Sequence, residues 1–255
     1  MKLIAIRLTI LVIFLGFWEL VSGRIIDAFF ISSPTKIAVV FWSWVIDGSL
    51  FYHAAITATE AFVGFALGAV FGIVLGILLG RATRVAEVLN PFIVGFYSIP
   101  KVALAPLFIM WFGIGIEMKI VLTGTIVFFL VFLNTYTGVR SVSPELTVIL
   151  RLMGANESEL LRKVIVPSAI TWVFAGLRLS VPYAIIGAIV GEIIASNRGL
   201  GFLLTSSSSQ FDTAGVFAAL VAIIALSAIL NLLVSYVAAL AMPWQKNTKQ
   251  QEVAI

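Results

Sequence analysis

Long apolar runs separated by short polar connections dominate the pattern of hydrophobic and polar positions along this chain. A helix needs about 20 apolar residues to cross the ~30 Å hydrocarbon core of a bilayer. Six runs have that length, so we predict six transmembrane helices and an all-α membrane protein. The runs cover approximately residues 3–22, 57–80, 90–112, 118–139, 169–194 and 214–242.

Composition supports a membrane location. The 255 residues are 61% hydrophobic with a mean hydropathy of +1.14, which leaves too little polar surface for a soluble domain of this size. The chain has no cysteine and a single histidine, His53, so it can form neither disulfides nor thiolate or multi-histidine metal sites. The basic start resembles a secretory signal peptide, but Phe17, Trp18 and Glu19 stand where a cleavage site needs small residues. We therefore predict a retained signal anchor.

Lys and Arg residues in the connections predict the orientation, because cytosolic loops carry an excess of them. With the N-terminus inside, ten lie in the cytosol and four outside, which predicts cytosolic termini. Since topology alone requires these charges, the basic pI gives no support to nucleic-acid binding. The cytosolic residues are Lys2, Arg7, Arg81, Arg84, Arg140, Arg151, Arg162, Lys163, Lys246 and Lys249. The outside residues are Arg24, Lys36, Lys119 and Arg198.

Two spacings predict packing surfaces. After Ser33 and Pro34, apolar residues at helical spacing predict an amphipathic helix, lying either on the outer interface or over its own bundle. They are Ile37, Val40, Phe41, Trp44 and Val45. The second run carries a glycine at every fourth position, which lets another helix approach closely. We expect packing within the chain, with a subunit contact or a moving interface as alternatives. These glycines are Gly64, Gly68, Gly72, Gly76 and Gly80.

Charged residues inside the predicted spans are functional candidates. Pro100 and Pro106 should bend or loosen the third span, and Lys101 beside them either lies within the membrane or extends to the headgroups. Arg178 and Glu192 are fourteen residues apart, about four helical turns, which puts them on one face roughly 21 Å apart. They cannot pair directly, and structural roles and substrate contact both remain open for them.

A charged segment between the fourth and fifth runs predicts two short helices joined at a glycine. Ser143 and Pro144 predict the start of the first helix, and Gly154 its left-handed end. Its apolar face is predicted from Leu146, Ile149, Leu150 and Met153. A docking surface for something in the aqueous phase is the interpretation that this polar segment favours.

Asn156 and Glu159 have the spacing of a reciprocal capping box at the start of the second helix. Pro167 is predicted to stop or bend that helix. We expect the helix pair to lie against the cytosolic face, with Glu157, Arg162 and Lys163 turned outward. The apolar side of the second helix comprises Leu160, Leu161, Val164 and Ile165.

The spacing from Gly154 to Pro167, the run at 162–167 and residues 176–178 resemble the coupling motif of permease subunits of bacterial ATP-binding-cassette importers. Residues 99–113, 133–140 and 199–203 are similar to the nitrate, sulfonate and taurine branch. The resemblance extends over about residues 31–236. One departure is clear: the family's Glu-Ala-Ala falls on 148–150, here Val-Ile-Leu, and Val164 and Val166 replace Ile and Leu.

The resemblance implies a type I importer permease fold and several partners. Two copies of the permease, as a homodimer in the bacterial inner membrane, would sit on two cytosolic ATP-binding subunits. A periplasmic or lipid-anchored solute-binding protein would deliver a small solute, most of all an anion such as a sulfonate, nitrate, taurine or a related compound. This chain lacks a phosphate-binding loop, so we expect it to bind no cofactor and to be no enzyme, with ATP and Mg held by the partner. ATPase coupling would use Met153, Gly154, Ala155, Asn156, Glu157, Leu160, Arg162, Lys163 and Pro167.

A translocation pathway would be formed from spans three to five, through Lys101, Trp111, Asn134, Tyr136, Arg178 and Glu192. Two rivals, a self-sufficient secondary carrier or channel and an intramembrane enzyme, lack the expected intramembrane acids or acid-base groups. A structural scaffold gives no reason for the capped loop.

By segments, residues 1–30 form the first helix and the start of an outer loop. Residues 31–244 form the permease domain with its coupling loop at 141–168, and 245–255 a polar tail.

Overall fold

The computed structural model describes residues 2–242 of the chain and the side chains of residues 5–242. These residues form twelve α-helices, with a 3₁₀ segment at Lys101–Leu104 and a π-helical segment at Leu161–Ile165. In chain order the helices are α1 (Lys2–Val21), α2 (Ala28–Ile31), α3 (Pro34–Ile46), α4 (Ser49–Arg81), α5 (Thr83–Ser98), α6 (Ala105–Phe112), α7 (Ile116–Arg140), α8 (Pro144–Leu152), α9 (Glu157–Leu160), α10 (Val166–Ile194), α11 (Leu200–Ser209) and α12 (Thr213–Ala241). The predicted polar tail at 245–255 lies outside the described residues.

Four helices in the described residues are long and apolar enough to cross a membrane. They are α4, α7, the continuous helix Glu157–Ile194 and α12. A fifth span is present if α5 and the segment Lys101–Phe112, which meet at a bend of 81°, are counted together. The first predicted run forms α1. The all-helical membrane prediction is therefore confirmed, with four or five spans among the described residues rather than an established six.

The predicted third span, 90–112, is not one continuous helix. The chain breaks at Ile99, which takes an extended conformation (φ −68°, ψ 127°) before Pro100. A residue that precedes proline is pushed out of the helical region, which explains the position of the break. Pro106 lies in the first turn of α6, where a missing N–H costs little. Only the first of the two prolines therefore interrupts the helix.

The chain divides into two compact units, and the first comprises Met1–Ala58 and Glu192–Leu226. Within it, α3 begins where the sequence predicts, since the Ser33 side chain accepts a hydrogen bond from the Lys36 amide. The Glu19 carboxylate of α1 accepts hydrogen bonds from the Thr35 amide (3.0 Å) and hydroxyl (2.6 Å). These two bonds join α1 to the start of α3. Trp18 and Phe217 pack edge to face, with ring centroids 5.2 Å apart.

The second unit comprises Thr59–Gly191 and Ser227–Ile255, and within it α4 packs closely against α7. All five stripe glycines face α7, so the prediction of packing within the chain is confirmed. A Cβ atom on Gly68 would lie 2.4 Å from the Gly124 carbonyl oxygen, and one on Gly76 2.7 Å from the Thr135 Cβ. Only a side-chain-free surface permits backbones to approach this closely. Buried Val127 and Val131 fill the core beside the stripe.

An ion pair is buried beyond one end of this stripe. The Lys119 ammonium of α7 lies 3.0 Å from a Glu60 carboxylate oxygen of α4, and both side chains are at most 4% exposed. Lys119, which the charge count placed on the outer side, lies in the first turn of α7 rather than in a loop. A buried charge is retained only when it is paired, and Glu60 provides the partner.

Candidate functional site: the coupling loop

The first loop helix, α8, begins and ends where the sequence predicts. Pro144 occupies its first position, although the Ser143 hydroxyl binds Glu145 rather than a backbone amide. At the other end, Gly154 has φ +84°. The Ala155 amide donates to the Leu150 carbonyl and the Gly154 amide to the Arg151 carbonyl, both at 3.0 Å. This pair of bonds is the Schellman motif, which satisfies the last carbonyls of a helix.

The second loop helix starts with the predicted capping box. The Glu159 amide donates to the Asn156 side chain at 2.9 Å, and the Asn156 amide donates to the Glu159 carboxylate at 3.1 Å. Pro167 does not stop this helix, which continues to Ile194. Proline supplies no N–H to the preceding turn, and the π-helical segment just before Pro167 is the kind of local widening that accommodates it.

The two loop helices differ in how much they bury. In the second, Leu160, Val164 and Ile165 are each less than 9% exposed, as predicted. The first, α8, buries no residue fully, and of its predicted apolar face Leu150 packs against the buried cluster of Val139, Leu160, Ile165 and Ala169. Its end is the most exposed part, with Leu152 at 83% and Met153 at 79%. An apolar surface therefore remains open at the glycine corner, formed by Leu146, Val148, Ile149, Leu152 and Met153.

Ion pairs fix the loop in position. The Glu157 carboxylate binds the Arg81 guanidinium with one oxygen and the Arg151 guanidinium with the other, the latter at 2.9 Å. Lys163 pairs with Glu159 at 2.8 Å, while Arg162 is exposed. Exposed pairs of this kind each contribute only ~0–1 kcal/mol, so their main effect is orientation. Glu157 and Lys163 are thus exposed as predicted, but both are already bound.

Lys101 of the candidate pathway has a structural environment that the sequence did not predict. Its ammonium donates to the carbonyls of Phe96 (2.8 Å), Tyr97 (2.9 Å) and Ile99 (2.7 Å). It also lies 4.4 Å from the centroid of the Phe129 ring, within the range of a cation–π interaction. Lys101 therefore satisfies the carbonyls that the break after α5 leaves without helical partners.

The structure gives the other pathway candidates different environments. Trp111 and Arg178 are exposed, whereas Asn134 donates to the Leu130 carbonyl at 2.8 Å and packs against Gly176. The Tyr136 hydroxyl accepts a hydrogen bond from Arg140 at 3.3 Å. Asn134 and Tyr136 are partly exposed. Within residues 2–242, no group of three or more His, Asp or Glu residues could hold a metal ion.

Glu192 belongs to a buried network in the first unit that the sequence did not predict. It is 1% exposed, and its carboxylate accepts hydrogen bonds from the Thr57 hydroxyl and the Gly201 amide, both at 2.6 Å. Thr57 in turn accepts from the Leu200 amide at 2.8 Å, and the Nδ1 atom of His53 from the Gly199 amide at 2.9 Å. Three successive amides at the start of α11 are therefore each held by a different side chain.

We expect Gly199→Ala to destabilise the protein more than Gly48→Ala. Both glycines have positive φ, +102° and +80°, but a Cβ on Gly199 would lie 2.0 Å from a Glu192 carboxylate oxygen, whereas one on Gly48 has no atom within 4 Å. The crowding adds about 1–3 kcal/mol to the conformational cost that both variants share. Thermal unfolding midpoints of the purified protein measure the difference. Equal midpoints for the two variants would show that the Glu192 side chain moves aside at no cost in stability.

Comparisons with known proteins identify the family. Residues 68–243 match the family described as binding-protein-dependent transport system inner membrane component. This chain belongs to that family. The permease is 34% identical to the formylaminopyrimidine transport permease of Halalkalibacterium halodurans, over 90% of this chain and 91% of that one. It is 32% identical to a putative aliphatic sulfonates transport permease of Bacillus subtilis, over 82% and 76% respectively. It is 29% identical to the taurine transport system permease of Escherichia coli, over 87% and 82%.

Solved structures support the fold of the permease. A structure of the methionine ABC transporter in an inward-facing conformation matches with a TM-score of 0.61, over 77% of this chain and 96% of that one. A crystal structure of an amino acid ABC transporter matches with a TM-score of 0.59, over 78% and 96%. The identities are 17% and 19%, so these similarities concern the fold. The predicted permease fold is confirmed at this level.

Proposed function

We propose that this permease forms the translocation pathway of an ATP-driven importer and that a separate cytosolic subunit hydrolyses the ATP. The observation that carries the proposal is the exposed apolar surface at the Gly154 corner. A monomeric soluble surface rarely leaves neighbouring large apolar side chains as open as Leu152 and Met153, and such patches mark sites of protein association. The adjoining loop lies between two helices able to span the membrane, which is where a cytosolic partner could transmit force to both.

The loop has the rigidity that force transmission needs. The Schellman motif at Gly154 and the capping box at Asn156 leave little freedom between α8 and α9. Glu157 then joins both parts to the last residue of α4 through Arg81 and Arg151. A partner that moves this loop would therefore also move the end of a membrane-spanning helix. The transition would be a population shift between two packings of the helices.

The assembly that we propose contains two copies of this permease, as a homodimer, and two ATP-binding subunits that carry ATP and Mg. A solute-binding protein would deliver the cargo from outside the inner membrane, and both permease termini would be cytosolic. The permease itself would bind no cofactor and catalyse no reaction. Its relatives are transport permeases for formylaminopyrimidine, aliphatic sulfonates and taurine, which supports a small organic solute as cargo.

For the pathway, the exposed pair Trp111 and Arg178 carries the proposal, and the Arg178 guanidinium suits an anionic solute. Asn134 and Tyr136 would contribute only if their present hydrogen bonds open. The contacts of Lys101 and Glu192 favour structural roles, which for Glu192 is one of the two alternatives that the sequence leaves open.

The deciding experiment is purification of the tagged permease from its native membrane, followed by measurement of ATP hydrolysis in nanodiscs. We expect an ATP-binding subunit to co-purify and its hydrolysis to rise when a solute-binding protein with its ligand is added. The ligand that stimulates hydrolysis then identifies the cargo. If the permease purifies alone even in mild lipid conditions and transports by itself in proteoliposomes, it is a secondary carrier and the proposal is wrong.

A further inference from the structure

A cationic cavity of about 350 Å³ lies in the second unit beside the coupling loop. Its volume falls in the range of small-ligand sites, roughly 300–1,000 Å³. Its polar lining consists of three arginines, two threonines and one carboxylate. They are Arg81, Arg140, Arg151, Thr83, Thr147 and Glu157. Three guanidinium groups against one carboxylate leave an excess of positive charge, so the cavity favours an anion.

Donors for an anion remain after the ion pairs are formed. A guanidinium has five N–H donors, and Arg81 and Arg151 each bind Glu157 through one nitrogen. Arg140 forms no ion pair within residues 2–242, and its recorded contacts are with the hydroxyl and ring of Tyr136. Planar arginine donors suit the oxygens of a phosphate group, which accept several charge-assisted hydrogen bonds at once.

The position of the cavity indicates where that phosphate comes from. Arg81 is the last residue of α4 and Arg140 the last residue of α7, and both helices are long and apolar enough to span the membrane. The close contact of Gly80 with Val139 sets these two ends side by side. The ends of membrane-spanning helices lie at the level of the lipid headgroups, and basic pockets between them bind anionic headgroups.

The apolar part of the lining offers little free surface. Val139, Leu160 and Ile165 line the cavity but are at most 7% exposed, and Val142 is partly exposed. The cavity therefore suits a phosphate group, and its place at the ends of α4 and α7 is what favours a phosphate attached to a lipid.

We propose that this cavity binds the phosphate of an anionic phospholipid and that Arg140 is its principal ligand. A bound headgroup would contact the ends of α4 and α7 and the coupling loop together, so it would hold the loop in the orientation that Glu157 already favours. The proposal requires membrane insertion of the chain but does not depend on ATP coupling, so it stands or falls independently of the proposed function.

The test is native mass spectrometry of the full-length permease, with any co-purifying subunits, after exchange into mixed phosphatidylglycerol and phosphatidylcholine. We expect retained phosphatidylglycerol in preference to phosphatidylcholine. Arg140→Gln should weaken that preference about ten-fold, the size of one charge-assisted hydrogen bond. Arg84→Gln is the matched control, because Arg84 is an exposed arginine at the start of α5 that does not line the cavity. It should retain the preference.

A third arm adds excess inorganic phosphate, which should leave the bound phosphatidylglycerol in place. Displacement by phosphate would assign the cavity to a soluble anion and overturn the lipid proposal. If the Arg84 and Arg140 variants lose the preference for phosphatidylglycerol equally, the preference comes from surface charge in general, and the lipid proposal is also overturned. If Arg140→Gln instead releases a co-purifying protein and no lipid preference exists, an acidic partner surface is the occupant and the proposal is wrong. Unchanged elution on gel filtration confirms that the variants fold.

Discussion

Substitution of Gly154 by glutamate is expected to abolish most solute-stimulated ATP hydrolysis by the complex while the permease still folds and inserts. A Cβ atom at this position has no atom within 4 Å, so the substitution creates no clash in the permease itself. The backbone, however, has φ +84°, which costs an ordinary residue roughly 1–2 kcal/mol and favours opening of the corner. The added charge also lies beside the exposed apolar residues Leu152 and Met153, which we propose contact the ATP-binding subunit.

Gly154→Asn is the matched control, because asparagine tolerates the left-handed conformation and carries no charge. It should keep most of the stimulated hydrolysis, while the glutamate variant loses at least about ten-fold, equivalent to ~1.4 kcal/mol of coupling. Hydrolysis is measured in nanodiscs with the solute-binding protein and its ligand. Normal stimulation in the glutamate variant, at normal expression, would exclude the glycine corner from coupling.

Gly68→Ala is expected to destabilise the permease despite adding a single methyl group. Its Cβ would lie 2.4 Å from the Gly124 carbonyl oxygen and 2.9 Å from the Phe128 amide nitrogen. These are backbone atoms of α7, so they cannot move aside as a flexible side chain would. Overpacking of this kind costs about 1–3 kcal/mol and exceeds the ~0.5–1 kcal/mol that alanine gains over glycine in a helix. A lower thermal midpoint of the purified protein measures the effect.

Gly95→Ala provides the comparison within the same unit. Gly95 lies inside α5, and a Cβ there meets no atom within 4 Å. Only the gain in helix propensity remains, so the thermal midpoint of Gly95→Ala should equal that of the unsubstituted permease or lie slightly above it. If both alanine variants unfold alike, the close approach of α4 and α7 is not a determinant of stability.

Local signals in the sequence were sufficient to predict the helix–glycine–helix geometry of the loop between α7 and α10. Pro144 at the start of α8, the glycine at its end and the pairing of Asn156 with Glu159 each act within a few residues, and the structure contains all three. The glycine stripe at 64–80 was equally predictable, because a glycine at every fourth position predicts the close approach of another helix.

Contacts between distant parts of the chain were not predictable in the same way. The pairing of Glu60 with Lys119, and the binding of the Gly201 amide by Glu192, depend on which helices meet. The role of Lys101 depends on where the helix breaks. The break lies at Pro100 and not at Pro106, which the sequence alone did not indicate. For this reason charged residues inside spans suggested a pathway, whereas the structure uses two of them to satisfy backbone groups.

The stripe that joins α4 to α7 also has a mechanical consequence. Five contacts at successive turns, from Gly64 to Gly80, extend over about 24 Å of helix with no flexible side chain between the two backbones. Close-packed contacts of this kind compress little, so we expect α4 and α7 to move together as one body. A displacement of Arg81 at one end should then also move the buried Glu60 at the other.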